Sequence, residues 1–484
     1  MSLNPQQLEA VHHPDGPLLL LAGAGSGKTR VIVQRIASLI QEKKIPPHQI
    51  LAVTFTNKAA DEMKERLRGL LPGGIQSLWV STFHSSCLRI LRQHIGELGF
   101  KKDFVIYDDN DRMTLIKNCL KEFKIDPKMM HPRAVATAID GAKNSLIPPE
   151  EYPTSDFFQK KIAALYGIYQ KELTKNNALD FGDLIMKTVE LFKKSSRVLQ
   201  YYQQLFRTIL IDEYQDTNHA QYELVRLLAE RHNNLCVVGD DDQSIYGWRG
   251  ADIRNILEFE KDYPGARVIK LEQNYRSTPE ILALATRVIE NNRGRKGKTL
   301  WTRNEAGEKA VLLTTADERR EAQSVVTEIG QLVQQGAKYS DCAIFYRTNA
   351  QSRLFEEELN RRKIPYTIFG GIKFYERMEI KDVLAYIRVL INPSDSISLG
   401  RIINVPARGI GKKMLMDLES FAAHHNSTLF EAVQRAESIK VASFYRLILE
   451  FQDRLKTSGM ADLVRDLIDK TGYRAELTGQ KTVE

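Results

Sequence analysis

Leu18-Leu19-Leu20-Leu21-Ala22-Gly23-Ala24-Gly25-Ser26-Gly27-Lys28-Thr29 is the stretch on which the fold turns. The apolar run is long enough for a buried strand, a glycine-rich turn follows, and Val31, Ile32, Ile36, Leu39 and Ile40 then recur at helical spacing. Strand, glycine turn and helix in that order make a phosphate cradle. Glycines lack Cβ atoms, so the loop can turn its backbone N–H groups around an oxyanion while the next helix presents its positive end to the same group. Lys28 then suits the β- and γ-phosphates of a nucleotide, and the Thr29 hydroxyl suits Mg²⁺. The strict pattern opens on glycine; here Ala22 holds that place and is small enough to keep the turn.

A chain of 484 residues exceeds one hydrophobic core, so several domains are expected. With 43% apolar and 27% charged residues, the make-up is that of a globular protein rather than a disordered one. No uninterrupted apolar run of about 18 residues is present, which excludes a membrane partner of the spanning-helix kind. The N-terminal Met1-Ser2-Leu3-Asn4-Pro5 lacks the basic-then-apolar order of a secretion signal, and a cytoplasmic location is expected. Cys87, Cys119, Cys236 and Cys342 are widely spaced and read as buried, reduced thiols rather than zinc ligands or a disulfide frame. The formal net charge of +8 fits a polyanionic partner without demanding one. Its densest cluster, Arg293-Gly294-Arg295-Lys296-Gly297-Lys298, reads either as a contact to a phosphate backbone or as a solvated basic loop.

Working outward, short apolar runs at Leu18–Leu21, Ile50–Val53, Leu78–Val80, Ile209–Ile211, Leu235–Val238 and Val268–Leu271 alternate with helical patterns. The expected fold class is therefore α/β, a parallel sheet covered by helices on both faces. Between about Ser85 and Asp180 the periodicity is helical with few strand signals, which predicts a helical insertion. Beyond Asn274 the alternation resumes, with strands expected at Val311–Leu313, Cys342–Tyr346 and Tyr366–Phe369. Helices near Arg319–Gln335, Ala350–Arg362 and Ile380–Ile391 complete a second α/β domain, and from Asn392 onward only helices are expected.

Two further stretches carry chemistry. In Thr208-Ile209-Leu210-Ile211-Asp212-Glu213, a carboxylate at the end of a buried strand suits Mg²⁺ and its neighbour suits a base for an attacking water, so Asp212 is read as metal ligand and Glu213 as base. The stretch Val237-Val238-Gly239-Asp240-Asp241-Asp242-Gln243 ends a strand in a polar turn that places an amide, Gln243, near a terminal phosphate. Its continuation holds Tyr246, Trp248 and Arg249, which either stack on bases of a single strand or pack into the turn. A calcium loop is excluded for the three aspartates because alternate ligand positions, central glycine and closing glutamate are missing. A GTPase reading fails because Asn57-Lys58 is followed by Ala59-Ala60 in place of a guanine-reading aspartate.

Together with Leu3-Asn4-Pro5-Gln6-Gln7-Leu8-Glu9-Ala10-Val11, Ala52-Val53-Thr54-Phe55-Thr56-Asn57-Lys58, Ser81-Thr82-Phe83-His84, Asp212-Glu213-Tyr214-Gln215-Asp216 and Gln273-Asn274-Tyr275-Arg276-Ser277, these segments resemble, in order and spacing, the motifs of the UvrD/Rep/PcrA group of superfamily 1 DNA helicases. The resemblance implies two RecA-like P-loop domains with parallel sheets, each carrying a helical insertion. The first domain then occupies residues 1–84 and 181–275 around an insertion at 85–180; the second occupies 276–375, followed by its own insertion at 376–484.

The implied cofactors are ATP and Mg²⁺. ATP would lie on Ala22, Gly23, Ala24, Gly25, Ser26, Gly27, Lys28, Thr29 and Arg30, with Gln7 and Arg30 toward the adenine and Tyr275 stacked on it. Gln243 and Arg276 resemble γ-phosphate sensors. Phe55, Asn57, His84, Tyr246, Trp248 and Arg249 resemble the surface for single-stranded DNA, and Tyr346-Arg347-Thr348-Asn349 is similar to a further DNA-side segment. The implied activity is ATP-driven 3′ to 5′ movement on single-stranded DNA and duplex unwinding at single-strand/double-strand junctions, with replication or repair proteins as further partners. Motifs of the family that contain Lys-Gly-Leu-Glu and Thr-Arg-Ala do not occur before Glu484, so the second domain is expected to be incomplete. The alternative is an ATP- and single-strand-binding module without full ATPase activity.

Overall fold

The computed structural model describes residues 3–126, 128–292, 294–369, 377–425 and 427–479. Along the chain run β1 (Leu18–Ala22), β2 (Ile50–Thr54), β3 (Trp79–Thr82), β4 (Val105–Tyr107), β5 (Ala178–Asp180), β6 (Thr208–Ile211), β7 (Leu235–Gly239) and β8 (Arg267–Leu271). Six of them form one parallel sheet in the order β3-β2-β6-β7-β1-β8. Side chains alternate across a strand, and here both faces are covered. Leu18, Leu20 and Ala22 enter one core with Val31, Ile36, Met63 and Leu67, which lie on the helices α2 (Lys28–Gln41) and α3 (Asn57–Leu70) that follow α1 (Pro5–His12). Leu19 and Leu21 enter the other core with Cys87, Leu91, Leu184 and Phe192, from α4 (Phe83–His94) and a later helix, Phe181–Lys194. An unbroken leucine run is what a doubly covered strand requires.

The insertion is mostly helical, as its periodicity predicts, but β4 and β5 pair in parallel within it, Val105 opposite Ala178 and Tyr107 opposite Asp180. At three residues each, these strands are too short to leave a periodic signal. Around them pack α5 (Asp109–Glu122), α6 (Pro132–Asn144) and α7 (Phe157–Lys175) on a core that includes Leu120, Ile139, Leu165 and Tyr169. Lys143 on α6 is fully buried and is balanced by Asp180 at 2.7 Å and Asp183 at 2.9 Å.

By packing, Met1–Glu308 together with Ala385–Glu484 forms one compact unit and Lys309–Leu384 a second. The helices beyond residue 385 carry their own core, including Leu399, Ile402, Phe444, Ile448 and Phe451. They are tied to the insertion by polar contacts: the Tyr107 hydroxyl donates to Asp395 (2.8 Å), Arg388 to Asp111 (2.6 Å), and the Asn392 amide to the carbonyl of Asn176 (2.9 Å). The expected boundary at residue 375 lies outside the described residues.

In Lys309–Leu384 the helices form as expected, at Glu318–Gln334, Ser352–Arg361 and from Met378. The strands do not. Val311–Leu313, Cys342–Tyr346 and Tyr366–Phe369 do not adopt strands, and Leu312 and Phe345 are each 94% exposed. A strand persists only when its backbone groups are paired and one face is buried. The buried apolar side chains clustered in this unit are Val326, Leu359 and Ile364, too few to offset the ordering of three strands. Cys342 is likewise part-exposed, unlike the buried Cys87, Cys119 and Cys236; all four are free thiols.

Candidate nucleotide and DNA site

Because the six strands are parallel, their carboxyl ends share one edge, where ligands of such sheets bind. β1 delivers Ala22 there, β6 delivers Asp212, and β7 delivers Asp240, with the Asp212 amide donating to the Val53 carbonyl of β2 at 2.9 Å. Ala22 is buried as the last residue of β1 and does not distort the turn after it.

The cradle needs its glycines for separate reasons. Gly25 (φ +69°) and Gly27 (φ +85°) adopt the left-handed conformation, and a Cβ on Gly23 would strike Leu300 at 2.2 Å. The Ser26 hydroxyl and amide both donate to the Gly23 carbonyl, at 2.7 and 3.2 Å, which closes the loop on itself. Gly27 caps α2 without a side chain, so no side-chain oxygen occupies the first-turn N–H donors and an anion is the natural acceptor. Lys28, Thr29 and Arg30 begin α2, all half-buried.

Lys28 reaches across to Glu213, Nζ to Oε2 at 3.0 Å. Glu213 itself sits at φ +51°, a costly conformation for a residue with a Cβ, and this aims its carboxylate at the lysine. Asp212 is buried beside it and accepts the Glu213 amide at 3.0 Å. Burial, then the Glu213 charge, pushes the Asp212 carboxyl up to about 6 despite the opposing effect of Lys28. Asp216 is pushed to about 6 by the same two causes. A buried carboxylate this poorly compensated fits a divalent cation, so the donor set suits Mg²⁺ held by Asp212 with Thr29.

On the side where the motifs lead adenine to be expected, Gln7 is buried: its amide donates to the Ser26 carbonyl at 2.9 Å and its oxygen caps α1 through the Asn4 amide at 3.1 Å. Tyr275 donates its amide to Gly25 at 2.9 Å and its hydroxyl to Gln273 at 3.0 Å. Arg276 is exposed next to it, with its Cβ close against Gly25. Asn274, to which the motif comparison assigns no role, holds this segment on the loop: its amide donates to the Ala24 carbonyl at 2.6 Å, and its oxygen accepts the amides of Arg276 (2.8 Å) and Ser277 (2.7 Å).

Gln243 is the expected sensor whose amide points elsewhere, donating to Asp240 within its own turn. Beyond it, Tyr246, Trp248 and Arg249 are exposed; Trp248 keeps 73% of its surface. The Arg249 guanidinium lies over Trp248 at 4.6 Å and Tyr246 at 5.2 Å. Asn144, at the end of α6, donates to the Arg249 carbonyl (3.2 Å) and accepts from Asn218 (2.9 Å), tying the insertion to this turn with no sequence signal to announce it.

The other residues expected to meet DNA follow the carboxyl ends of β2 and β3. Phe55 packs edge-on against Phe83 at 5.8 Å, and Asn57 is exposed in the first turn of α3. His84 meets Phe181 edge-on at 5.8 Å, and burial lowers its pKa, keeping it neutral. Phe181 is a large exposed ring beside these positions that motif reading missed. Tyr346–Asn349 belongs to the second unit, where Gln351 accepts the amides of Arg347 and Thr348, both at 2.9 Å. The basic cluster is neither a phosphate contact nor a solvated loop over its last residues: Lys298 and Arg295 are engaged by Asp240, Asp241 and Asp242, while Arg293 lies outside the described residues.

With that geometry in view, comparison with known proteins is decisive. The family model of the UvrD/REP helicase N-terminal domain matches residues 3–264, and that of the UvrD-like helicase C-terminal domain matches residues 269–479. The chain belongs to the UvrD-like helicase family. It is 50% identical over 493 residues to the ATP-dependent DNA helicase PcrA of Bacillus subtilis (strain 168), an alignment covering 100% of this chain and 67% of that protein. The PcrA proteins of Staphylococcus epidermidis (strain ATCC 12228) and Staphylococcus aureus (strain NCTC 8325) are each 48% identical, with all of this chain covered and 68% and 67% of theirs. For a UvrD-like helicase, the expectation of an incomplete second domain is not borne out, since the C-terminal domain of the family aligns from residue 269 to 479. No described helix is long and apolar enough to cross a membrane.

Proposed function

We propose that this helicase hydrolyses ATP with Mg²⁺ in the cleft around Lys28 and uses the cycle to move 3′ to 5′ along single-stranded DNA, opening duplex at single-strand/double-strand junctions in replication or repair. The observation that carries the reading is the Lys28–Glu213 pair at 3.0 Å beside the buried Asp212, on the same sheet edge as the turn that exposes Trp248. Family membership supports the nucleotide and the DNA.

In this reading, Lys28 and the loop amides from Gly23 to Gly27 hold the phosphates and stabilise charge as it develops. Asp212 and Thr29 would hold Mg²⁺, which supplies further neutralisation of that charge. Glu213 leaves its pairing with Lys28 when the lysine turns to the phosphate, and its freed carboxylate orients and deprotonates the attacking water. Gln7 and Tyr275 position the base, while Arg276, and Gln243 once its amide leaves Asp240, would sense the terminal phosphate. Tyr246, Trp248, Phe55 and His84 offer faces for bases, a sequence-tolerant way to grip a moving strand.

The test is steady-state ATP hydrolysis by the 484-residue chain with and without single-stranded DNA. Stimulation by DNA is expected, and Lys28→Ala should lower turnover by about a hundredfold or more, the scale of removing one preorganised charge-stabilising donor. Equal turnover in the variant overturns the proposal. Binding of both ligands without turnover would instead establish the nucleotide-gated binding module.

A further inference from the structure

One short segment, from Arg295 to Thr302, touches the Asp240–Asp242 turn, the glycine loop at Gly23 and the Gln273–Asn274 stretch without belonging to any of the motifs. Arg295 donates to both oxygens of Asp242, at 2.8 and 2.7 Å, and the Lys296 amide donates to Asp241 at 2.8 Å. Lys298 has only 2% of its side chain exposed, and its ammonium is ringed by Asp240 (2.6 Å), Asp242 (2.7 Å) and Asp241. Two residues on, Leu300 covers Gly23 of the phosphate loop, and Trp301–Thr302 pairs with Gln273–Asn274, the stretch that leads into Tyr275 and Arg276.

Asp240 is the junction. Its carboxylate takes Lys298 on one oxygen and the Gln243 amide on the other, and its backbone amide donates to Gln215 at 3.0 Å. The Gln215 amide donates in turn to Glu213 at 2.9 Å, and Glu213 holds Lys28. A continuous set of polar contacts thus runs from the phosphate-binding lysine, through Glu213 and Gln215, to the turn whose next residues are Tyr246, Trp248 and Arg249. Three adjacent carboxylates would repel one another and spread that turn; the buried ammonium removes the repulsion and holds them converged. A bound metal ion is not needed there, because the lysine ammonium already stands among the three acids.

We propose that Lys298 is a positioning residue that couples the nucleotide to the DNA strand: by locking the Asp240–Asp242 turn it makes the stacking residues Tyr246, Trp248 and Arg249 respond to the state of Lys28 and Glu213. The inference rests on the function proposed above, and its test separates the two. The dissociation constant of a fluorescein-labelled oligothymidylate is measured by anisotropy on the full chain, with and without a non-hydrolysable ATP analogue and Mg²⁺. In the parent, the nucleotide is expected to change strand affinity by about fivefold or more, the ordinary size of a coupling between two sites. Lys298→Met is expected to bring this ratio below about twofold, and Lys298→Arg, which keeps the cation, to restore it. A ratio unchanged in Lys298→Met overturns the inference, as does a parent that binds both ligands with a ratio near one. A parent that binds neither ligand overturns the proposed function itself. Should circular dichroism show that Lys298→Met does not fold, Arg295→Ala, which loosens the same turn from its outer side, is expected to lower the ratio by about half, and an unchanged ratio there overturns the inference.

Discussion

At Asp212 the cost of burying a carboxylate, proposed here to hold a cation, is visible in a single carboxyl. Its ordinary value of 3.8 is raised to about 6, first by burial and then by Glu213. Between those two values the folded chain holds a proton that the unfolded chain has released, so stability falls as pH rises through the window, and the penalty is complete above about pH 6. Two pH units correspond to about 3 kcal/mol at most. Asp212→Asn keeps the oxygen that accepts the Glu213 amide and removes the charge. It is expected to raise the melting temperature of the ligand-free protein relative to parent at pH 7 and to change it little at pH 4. Calorimetry at both values checks this; an equal difference at the two would show that the charge is not the cause. The residues around Asp212 were legible to different degrees. Lys28 and Glu213 stand out in sequence because their neighbours are so constrained, whereas Gln215, Asn274 and Lys298 act through partners 25 to 250 positions away.

At the scale of elements, β1, β2, β6 and β7 of the first sheet are readable because each is buried on both faces, so three to five apolar residues in a row have one physical explanation. The same kind of run at Val311–Leu313 carries no such guarantee: pattern reports a side chain's preference for burial, and the partner strands must supply it. The turn after β7 carries the most exposed aromatic ring among the residues proposed to meet DNA. Trp248 is exposed with Arg249 over one part of its ring, leaving surface for a base. Trp248→Ala is expected to weaken binding to single-stranded DNA by about 1–3 kcal/mol, the worth of one stacked base, and to leave nucleotide affinity within about twofold. Anisotropy titration with a labelled oligonucleotide checks it, and an unchanged affinity would assign the grip to the Phe55–His84 cluster instead.

For the whole molecule, the helices from residue 385 are joined to the insertion rather than held apart from it. Arg388 on one side and Asp111 on the other form a part-buried pair, with Tyr107–Asp395 and Asn392–Asn176 beside it. Removing the arginine leaves Asp111, already raised by burial, without its main cation. Arg388→Ala is accordingly expected to cost about 1–3 kcal/mol, the range for hydrogen bonds to charged groups. The readout is the urea midpoint together with faster proteolysis between the insertion and the C-terminal helices; a midpoint unmoved by the change would mean that the apolar contacts alone hold this junction.

The order of strand, glycine loop, helix and acidic strand end is local chemistry, and local chemistry is written in neighbouring residues: the fold class, the glycine-rich loop, the buried aspartate at the end of β6 and the family all followed from it. Contacts between distant segments have no such record. That Lys298 would leave the solvent and settle among three aspartates, that Asn144 would reach the stacking turn, and that the last hundred residues would pack on the insertion were decided by the tertiary structure, because burial and pairing belong to the places where chain segments meet and to no segment alone.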